Sequence, residues 1–338
     1  MAKRVLAQLE QMVSDVQEKK SCFAATTNQQ LRCLRAGVSK GELIEAAPSL
    51  FATTSYWSEL KPSERSLHIM SGLQHLHPDW VFAGPSAAVA YGLAVSNHYL
   101  TKTWIASTRK THRRTTDYCQ PVIVANQAVE KVSGLRLTSL FRTVGDCLRI
   151  MDFRSGIAVA DSVLRLRALT GDELITGINS ACKKMSRISQ MRSLITLADP
   201  RAESGGESIA RATMLELGLA APNLQQKFDN PLCPGKTYRI DFAWDVGGQF
   251  ILGELDGYEK YVSKEMTGGK SMAKVIEDEH RRQSLIEADP KVLRVVRFGI
   301  ADVMRDWDFL NLLLRCGIPR TFTYDDRISS AGGILRCR

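Results

Sequence analysis

The feature that most constrains this chain is a predicted β-hairpin in its last third. Residues 238–244 and 249–255 are apolar runs of strand length, built largely from Ile, Phe, Trp and Leu. The Gly-Gly pair between them, at residues 247–248, is typical of a two-residue hairpin turn. Such a turn brings the start of the first strand beside the end of the second strand, and both of these places carry acidic residues.

Three carboxylates would meet at the open end of this hairpin. Asp241 lies early in the first strand, whereas Glu254 and Asp256 end the second strand and share one of its faces. Like charges this close repel one another unless a cation lies between them. Oxygen ligands are those that Mg²⁺ and Mn²⁺ prefer, so the hairpin predicts a magnesium or manganese site with Asp241 and Glu254 as ligands. Asp256 is either a third ligand or, because Gly257 follows it, a turn residue.

Composition and charge indicate the kind of protein and its partners. With 338 residues, the chain is long enough for two or three domains, each with a core. A net charge of +9 and a pI of about 9.2 favour a polyanionic partner such as nucleic acid. The eight cysteines include no C-x-x-C pair, which indicates reduced thiols rather than zinc or disulfides. There is no apolar leader or membrane-length apolar run, so we predict a cytoplasmic protein with no membrane partner.

The first segment, residues 1–60, is predicted to be a winged helix-turn-helix domain. A capping box at Thr27 and a second one at Ser39 would begin two short helices joined by a turn. Residues 49–54 would then form a wing strand, and Ser39 and Lys40 would contact nucleic acid. An ordinary αα-hairpin also fits this pattern.

The middle segment, residues 61–199, is predicted to be a mixed α+β domain. Strands are predicted at residues 103–106 and 121–124, and Arg142 and Asp146 have the spacing of a surface ion pair on a helix. Between the strands lies the densest basic cluster of the protein, which would either contact phosphates or remain a solvated loop. Its basic residues are Arg109, Lys110, Arg113 and Arg114.

The last segment, residues 200–338, begins after a Pro- and Gly-containing linker. The predicted elements of this segment follow the order αβββαβ, an α/β layer arrangement. They are a helix at residues 207–219, a strand at 224–228, the hairpin, a helix at 271–288 and a strand at 291–298.

These residues resemble the PD-(D/E)XK nuclease superfamily, in particular its branch similar to very-short-patch-repair endonucleases. The resemblance covers residues 206–298 and implies a restriction-endonuclease-like core. It is carried by Glu207, by Asp241 in Arg-Ile-Asp-Phe, by Glu254 in Gly-Glu-Leu-Asp-Gly, by the helix segment at residues 279–282 and by the strand at residues 293–298.

The first 190 residues resemble the AbiEi antitoxin family more loosely. The matching features are the Gly-Val-Ser-Lys-Gly-Glu-Leu stretch from Gly37, the small-residue helix at residues 86–93, and Leu137-Thr138-Ser139 with the following Arg142 and Asp146. This resemblance implies an antitoxin-like middle domain after the winged helix, and a role in defence or in a toxin–antitoxin-like system.

The nuclease resemblance implies phosphodiester hydrolysis with Glu207, Asp241 and Glu254 as catalytic residues. In that family a lysine normally follows the second acid by two residues, and here Asp256 stands at its position. Lys260 or, from the preceding strand, Lys227 would replace this lysine, or the site would be slow or inactive.

Two of these residues also have structural interpretations. Glu207 completes a capping box with Ser204 and has the spacing of an ion pair with Arg211. Arg282 either faces phosphate or forms a buried ion pair with Glu279.

The sequence therefore predicts a metal-dependent endonuclease that acts on DNA. The alternatives are a non-enzymatic DNA-binding regulator with a degenerate nuclease fold, and a nuclease directed at RNA. A dimer or a cognate regulatory partner is compatible with each of these hypotheses.

Overall fold

The computed structural model describes residues 2–108, 116–124, 128–182, 186–229, 235, 237–256 and 284–321, with backbone alone for residues 2–8 and 10. The chain divides into two compact units. Unit 1 comprises Met1–Met151 and Leu166–Thr196, and unit 2 comprises Asp152–Arg165 and Leu197–Arg338. The division into three domains, at residues 1–60, 61–199 and 200–338, remains a prediction from the sequence.

Unit 1 begins with two helices and a three-stranded antiparallel sheet, whose central strand is the last of the three in the chain. The apolar residues of this part form one core, which includes Val13, Leu34 and Phe51. The elements are α1 (Ala2–Glu18), β1 (Phe23–Ala24), α2 (Asn28–Ser39), β2 (Leu43–Ala47) and β3 (Leu50–Thr53).

The capping box at Thr27 is confirmed, but the second capping box is wrong. Thr27 accepts a hydrogen bond from the backbone of Gln30, whose side chain closes the box. Ser39 is instead the last residue of α2, and its hydroxyl donates to the carbonyl of Arg35. The residues that follow form β2, which pairs with β3, so the helix-turn-helix that was predicted here is replaced by a helix and a strand. The strand predicted at residues 49–54 is confirmed as β3, while its role as a wing stays a prediction.

The remainder of unit 1 is helical with two small sheets. Strands β4 and β5 pair in parallel and β6 and β7 pair antiparallel, which confirms both strands that were predicted in the middle segment. The elements are α3 (Thr54–Glu59), α4 (Pro62–Leu76), α5 (Gly84–Ala90), β4 (Thr103–Ser107), β5 (Cys119–Ile123), β6 (Val129–Val132), β7 (Leu135–Thr138), α6 (Leu140–Ile150), α8 (Gly171–Ala181) and α9 (Ile188–Thr196), with α7 (Phe153–Arg167) lying mostly in unit 2.

The predicted ion pair on α6 forms, although not on the surface. Arg142 Nε lies 2.8 Å from Asp146 Oδ2, and the Asp146 side chain is completely buried. Burial raises the pKa of Asp146, while hydrogen bonds and charge from Arg142 and then the charge of Arg149 oppose this rise. The pair is therefore part of the core of unit 1, not a solvated contact.

Unit 2 is built on a four-stranded mixed sheet of strand order β11 (Val292–Gly299), β10 (Gln249–Asp256), β9 (Thr237–Val246) and β8 (Asn223–Asp229). Strands β8, β9 and β10 pair antiparallel in succession, and β11 pairs in parallel with β10. The elements after α7 are α10 (Gly205–Glu216), β8 (Asn223–Asp229), β9 (Thr237–Val246), β10 (Gln249–Asp256), β11 (Val292–Gly299), α11 (Ile300–Val303) and α12 (Asp306–Arg315).

Two apolar clusters flank this sheet. One joins residues of α10 and α12 to Phe242 and Phe298, and the other includes Leu252 and Ile286. The predicted hairpin is confirmed, because β9 and β10 are joined at Gly247 and Gly248, which both have positive φ angles, as a two-residue hairpin turn requires.

The order predicted for the last segment agrees with the described elements, since a helix, three strands and a final strand occur in sequence. Most of the predicted helix at residues 271–288 lies outside the described residues, and residues 284–287 at its end are helical. The protein is thus of mixed α/β class. None of the described helices is both long and apolar enough to span a membrane.

Candidate active site

The hairpin brings Asp241 and Glu254 to the same level of the sheet. The antiparallel register of β9 and β10 runs from Val246–Gln249 to Phe242–Gly253, so the next residues along the two strands are Asp241 and Glu254. The amide of Leu255 donates to Asp241 Oδ2 at 3.0 Å, which ties the Asp241 carboxylate to the end of β10. Glu254 is buried, with 4% of its surface exposed. A buried glutamate beside an aspartate needs a compensating charge or hydrogen bonds, as is common at functional sites.

Helix α10 supplies the third acidic residue, Glu207, in its first turn. Ser204 is the N-cap of α10, and its hydroxyl accepts the amide of Glu207 and donates to Glu207 Oε1 at 2.8 Å. The backbone amide of Glu203 donates to Glu207 Oε2 at 2.8 Å. Only half of the predicted capping box forms, because the Glu207 carboxylate accepts from the Glu203 amide and the Ser204 hydroxyl instead of the Ser204 amide. These bonds hold the carboxylate at the start of the helix.

The environment of Glu207 shows that the carboxylates interact. Burial raises the pKa of Glu207, the hydrogen bonds from Glu203 and Ser204 lower it, and the charge of Asp241 raises it again. The charge of Asp241 therefore acts on Glu207, and a cation near both would offset this repulsion.

The predicted ion pair of Glu207 with Arg211 does not form. Arg211 donates instead to both carboxylate oxygens of Asp161 on α7, at 2.9 and 3.0 Å, and both side chains are buried. The backbone amide of Asp199 also donates to Asp161. Glu207 accepts instead from Gln225 of the sheet. The Asp161–Arg211 pair joins α7 and the linker to α10.

Asp256 forms an ion pair with an arginine of the neighbouring strand. Its two oxygens accept hydrogen bonds from Nε and Nη2 of Arg297 on β11, the closest at 2.6 Å. In the parallel register of β10 and β11, Arg297 is the partner of Glu254, so Arg297 lies level with the predicted ligand. An Asp–Arg pair therefore occupies the position at which the nucleases that the sequence resembles carry a lysine.

The carboxylates of the site suit a hard cation by their chemistry. Asp241 and Glu254 provide oxygen ligands at one level of the sheet, and repulsion from Asp241 acts on Glu207. Within the described parts of the chain, no group of three or more His, Cys, Asp or Glu side chains is arranged to hold a metal ion. The predicted third ligand, Asp256, is engaged by Arg297, which leaves the pair Asp241 and Glu254 as the better-supported ligands.

The other predicted site residues are either elsewhere or not described. Ser39 and Lys40 are exposed at the end of α2 in unit 1. Lys227 is exposed on β8, opposite Arg239. The residues that lie outside the described ranges are Arg109, Lys110, Arg113, Arg114, Lys260 and Arg282.

Sequence reasoning missed two residues at this site, Gln225 and Arg297. The side-chain amide of Gln225 donates to Glu207 Oε2 at 2.9 Å. Both residues lie in strands that were predicted correctly, but their roles depend on strand order. Pairing between β10 and β11 crosses more than thirty residues of chain, and no local pattern indicates it.

Comparisons with known proteins give no function for this chain. It is similar to "Uncharacterized protein MT2308" of Mycobacterium tuberculosis (strain CDC 1551 / Oshkosh) and to "Uncharacterized protein Rv2248" of M. tuberculosis (strain ATCC 25618 / H37Rv). Each is 32% identical over 118 residues, which correspond to 34% of this chain and 42% of the relative. The match thus spans less than half of either relative. No family model matches the chain, and no solved structure matches it.

Proposed function

We propose that this protein is a metal-dependent nuclease that hydrolyses phosphodiester bonds of DNA, with a C-terminal domain of the PD-(D/E)XK superfamily. The observation that carries the proposal is the meeting of Asp241 and Glu254 at one level of the sheet, with Glu207 within electrostatic reach of Asp241. An αβββαβ arrangement with these acids on its helix and central strands is the pattern that the sequence resemblance implies.

The residues of the site would contribute to the reaction in different ways. Asp241 and Glu254 would hold Mg²⁺ or Mn²⁺, and Glu207 would orient the attacking water from the start of α10. The bound ion would supply an activated water and would offset the charge of the scissile phosphate. Arg297, held by Asp256, would donate hydrogen bonds to the phosphate and stabilise the charge that develops in the transition state.

The N-terminal part is proposed to serve binding and regulation. The three-stranded sheet of unit 1 with its two helices supports a winged domain, although the predicted turn between two helices is replaced there by the passage from α2 to β2. The AbiEi resemblance supports an antitoxin-like middle domain and a role in defence or in a toxin–antitoxin-like system, with nucleic acid as the partner in the cytoplasm.

A cleavage assay with purified protein tests the proposal. Wild type with Mg²⁺ or Mn²⁺ should cleave double- or single-stranded DNA, and Asp241→Asn and Glu254→Gln should each reduce cleavage by about 10²-fold or more because each removes a ligand charge. Asp245→Asn, on the same strand but beside the hairpin turn, is the matched control and should cleave normally. Cleavage of RNA alone would replace the DNA substrate by RNA.

The second candidate is a DNA-binding regulator with a degenerate nuclease fold. It is favoured by one observation, the Asp256–Arg297 pair that stands where the family has a lysine. This candidate predicts salt-dependent DNA binding with no cleavage by wild type under any metal condition. Asp241→Asn would then leave DNA affinity unchanged, because the carboxylate would have no role in binding.

A further inference from the structure

Gln225 has a backbone conformation that its residue type disfavours. It lies within β8 with φ of 54°, in the left-handed region that Gly adopts without cost and that Asn or Asp tolerate better than Gln does. The two neighbours of Gln225 keep the strand pairing, since Leu224 pairs with Phe242 and Gln226 pairs with Ile240. The deviation is therefore local to one residue in the middle of a strand, and no turn accounts for it.

The register places Gln225 opposite Asp241. Because Leu224 and Gln226 are the partners of the residues on either side of Asp241, Gln225 faces Asp241 across the two strands. Its side-chain amide reaches Glu207 Oε2 on α10 at 2.9 Å. Gln225 thus bonds to the acidic residue on the helix and lies level with the acidic residue on the neighbouring strand.

The three hydrogen bonds to Glu207 divide into two kinds. Ser204 and Glu203 belong to the start of α10, so they fix the Glu207 side chain relative to its own helix. Gln225 belongs to the sheet, so its bond fixes Glu207 relative to the strands that carry Asp241. Backbone strain of this kind persists where the surrounding structure holds it, and functional sites are one place where it clusters.

We propose that Gln225 is a positioning residue, whose amide holds Glu207 against Asp241 and whose strained backbone is kept for that purpose. This inference rests on the proposed metal-dependent function of the site. Residues that orient the groups around a metal are themselves sensitive positions, and their loss typically lowers metal affinity or activity by about 10- to 100-fold.

Two substitutions distinguish a positioning role of Gln225 from a purely structural role. Gln225→Gly removes the amide and relieves the backbone strain, so the midpoint of thermal unfolding should stay the same or rise while Mn²⁺ affinity falls about tenfold or more. Gln225→Met keeps a side chain of similar length and removes the polar amide with its N–H donor to Glu207, and it should show the same loss of affinity. Gln226→Ala is the matched control, because Gln226 is the adjacent glutamine and its amide donates to the carbonyl of Lys227 in its own strand.

The experiment measures Mn²⁺ binding by calorimetry, thermal unfolding, and kcat and KM for DNA cleavage. The expected result is weaker Mn²⁺ binding and a lower kcat with unchanged KM in both Gln225 variants, alongside a Gln225→Gly protein at least as stable as wild type. A large loss of stability in Gln225→Gly, or wild-type Mn²⁺ affinity in both variants, would overturn the inference. Wild type that binds Mn²⁺ but cleaves neither DNA nor RNA would overturn the nuclease proposal alone, since the Mn²⁺ measurements still decide the role of Gln225.

Discussion

Asp256 on β10 and Arg297 on β11 form a two-pronged ion pair beside Glu254, with the shortest N–O distance 2.6 Å. The pair is partly exposed, at 37% for the Asp256 side chain and 22% for that of Arg297. Its contribution to stability is therefore small. Its position matters more, because Asp256 stands where the nucleases that the sequence resembles carry a lysine, and Arg297 brings a guanidinium to this residue.

We expect Arg297→Met to lower kcat for DNA cleavage by about 10²-fold, because this substitution removes a charged donor to the transition state. Mn²⁺ affinity should be retained, since Arg297 is not a ligand. The measurement is steady-state kinetics together with calorimetry. Equal kcat for wild type and Arg297→Met would show that the guanidinium has no part in the reaction.

The double substitution Asp256→Lys with Arg297→Met replaces the guanidinium at this position by an ammonium group. It places a lysine at the family's position and removes the guanidinium that would repel it. We expect this protein to cleave better than Arg297→Met alone. Asp256→Lys alone should cleave poorly, because the new ammonium group and the Arg297 guanidinium would repel each other. No recovery in the double variant would mean that the geometry at the end of β10 does not suit a lysine.

Lys260 and Lys227 are the other candidates for the same role. If one of them supplies the charge, its replacement by alanine should reduce cleavage while metal and nucleic-acid binding remain, because a group that acts in the transition state affects turnover rather than affinity. Lys227 is exposed on β8, so we expect Lys227→Ala to be nearly neutral. A loss of activity in Lys260→Ala greater than that in Arg297→Met would transfer the role to Lys260.

Removal of Arg211 should destabilise unit 2 strongly. Arg211→Met leaves Asp161 buried without its partner, which typically costs about 3–5 kcal/mol. Denaturant unfolding measures this cost. The control is Arg201→Met, which breaks the exposed pair with Asp199 and should cost less than about 1 kcal/mol.

The cost of Arg211→Met should also depend on pH. Burial raises the pKa of Asp161 above its ordinary value of 3.8, and the charge of Arg211 opposes that rise. A raised native pKa gives stability that is present below the unfolded pKa and is lost as pH rises through the native one. Without Arg211 the rise is larger, so the stability difference between wild type and Arg211→Met should widen as pH increases from the native pKa of Asp161 in wild type to its higher native pKa in Arg211→Met. A difference that stays constant with pH would contradict this assignment.

The basic cluster between β4 and β5 should determine the salt dependence of nucleic-acid binding. Replacing Arg109, Lys110, Arg113 and Arg114 by glutamine should weaken DNA binding and reduce the slope of log affinity against log salt by about 0.9 for each phosphate that is no longer neutralised. Fluorescence anisotropy across a salt series measures both. A charge-matched control replaces four exposed basic residues elsewhere in the chain, namely Lys19, Arg187, Arg192 and Arg315. The same slope in both proteins would mean that net charge, rather than this cluster, drives binding.

Local sequence patterns predicted the elements well where the local interactions decide the conformation. The Gly-Gly pair predicted the hairpin because two consecutive positive φ angles are accessible to glycine. Thr27 and Gln30 predicted the start of α2 because both hydrogen bonds of the box lie within one turn. At Ser39 the same local pattern failed, since pairing of β2 with β3 outweighs a cap that an isolated helix would have used.

The sequence by itself determined which acids are present, the strands and helix that carry them, and the end of the hairpin at which Asp241 and Glu254 lie. Only the tertiary structure decided their partners. Arg297 reaches Asp256 because β11 joins the sheet beside β10, and Arg211 pairs with Asp161, fifty residues earlier in the chain on α7. Gln225 adopts its left-handed backbone while its amide bonds to Glu207. These contacts join segments distant in sequence, and their energies depend on burial and strand order, which local periodicity does not encode.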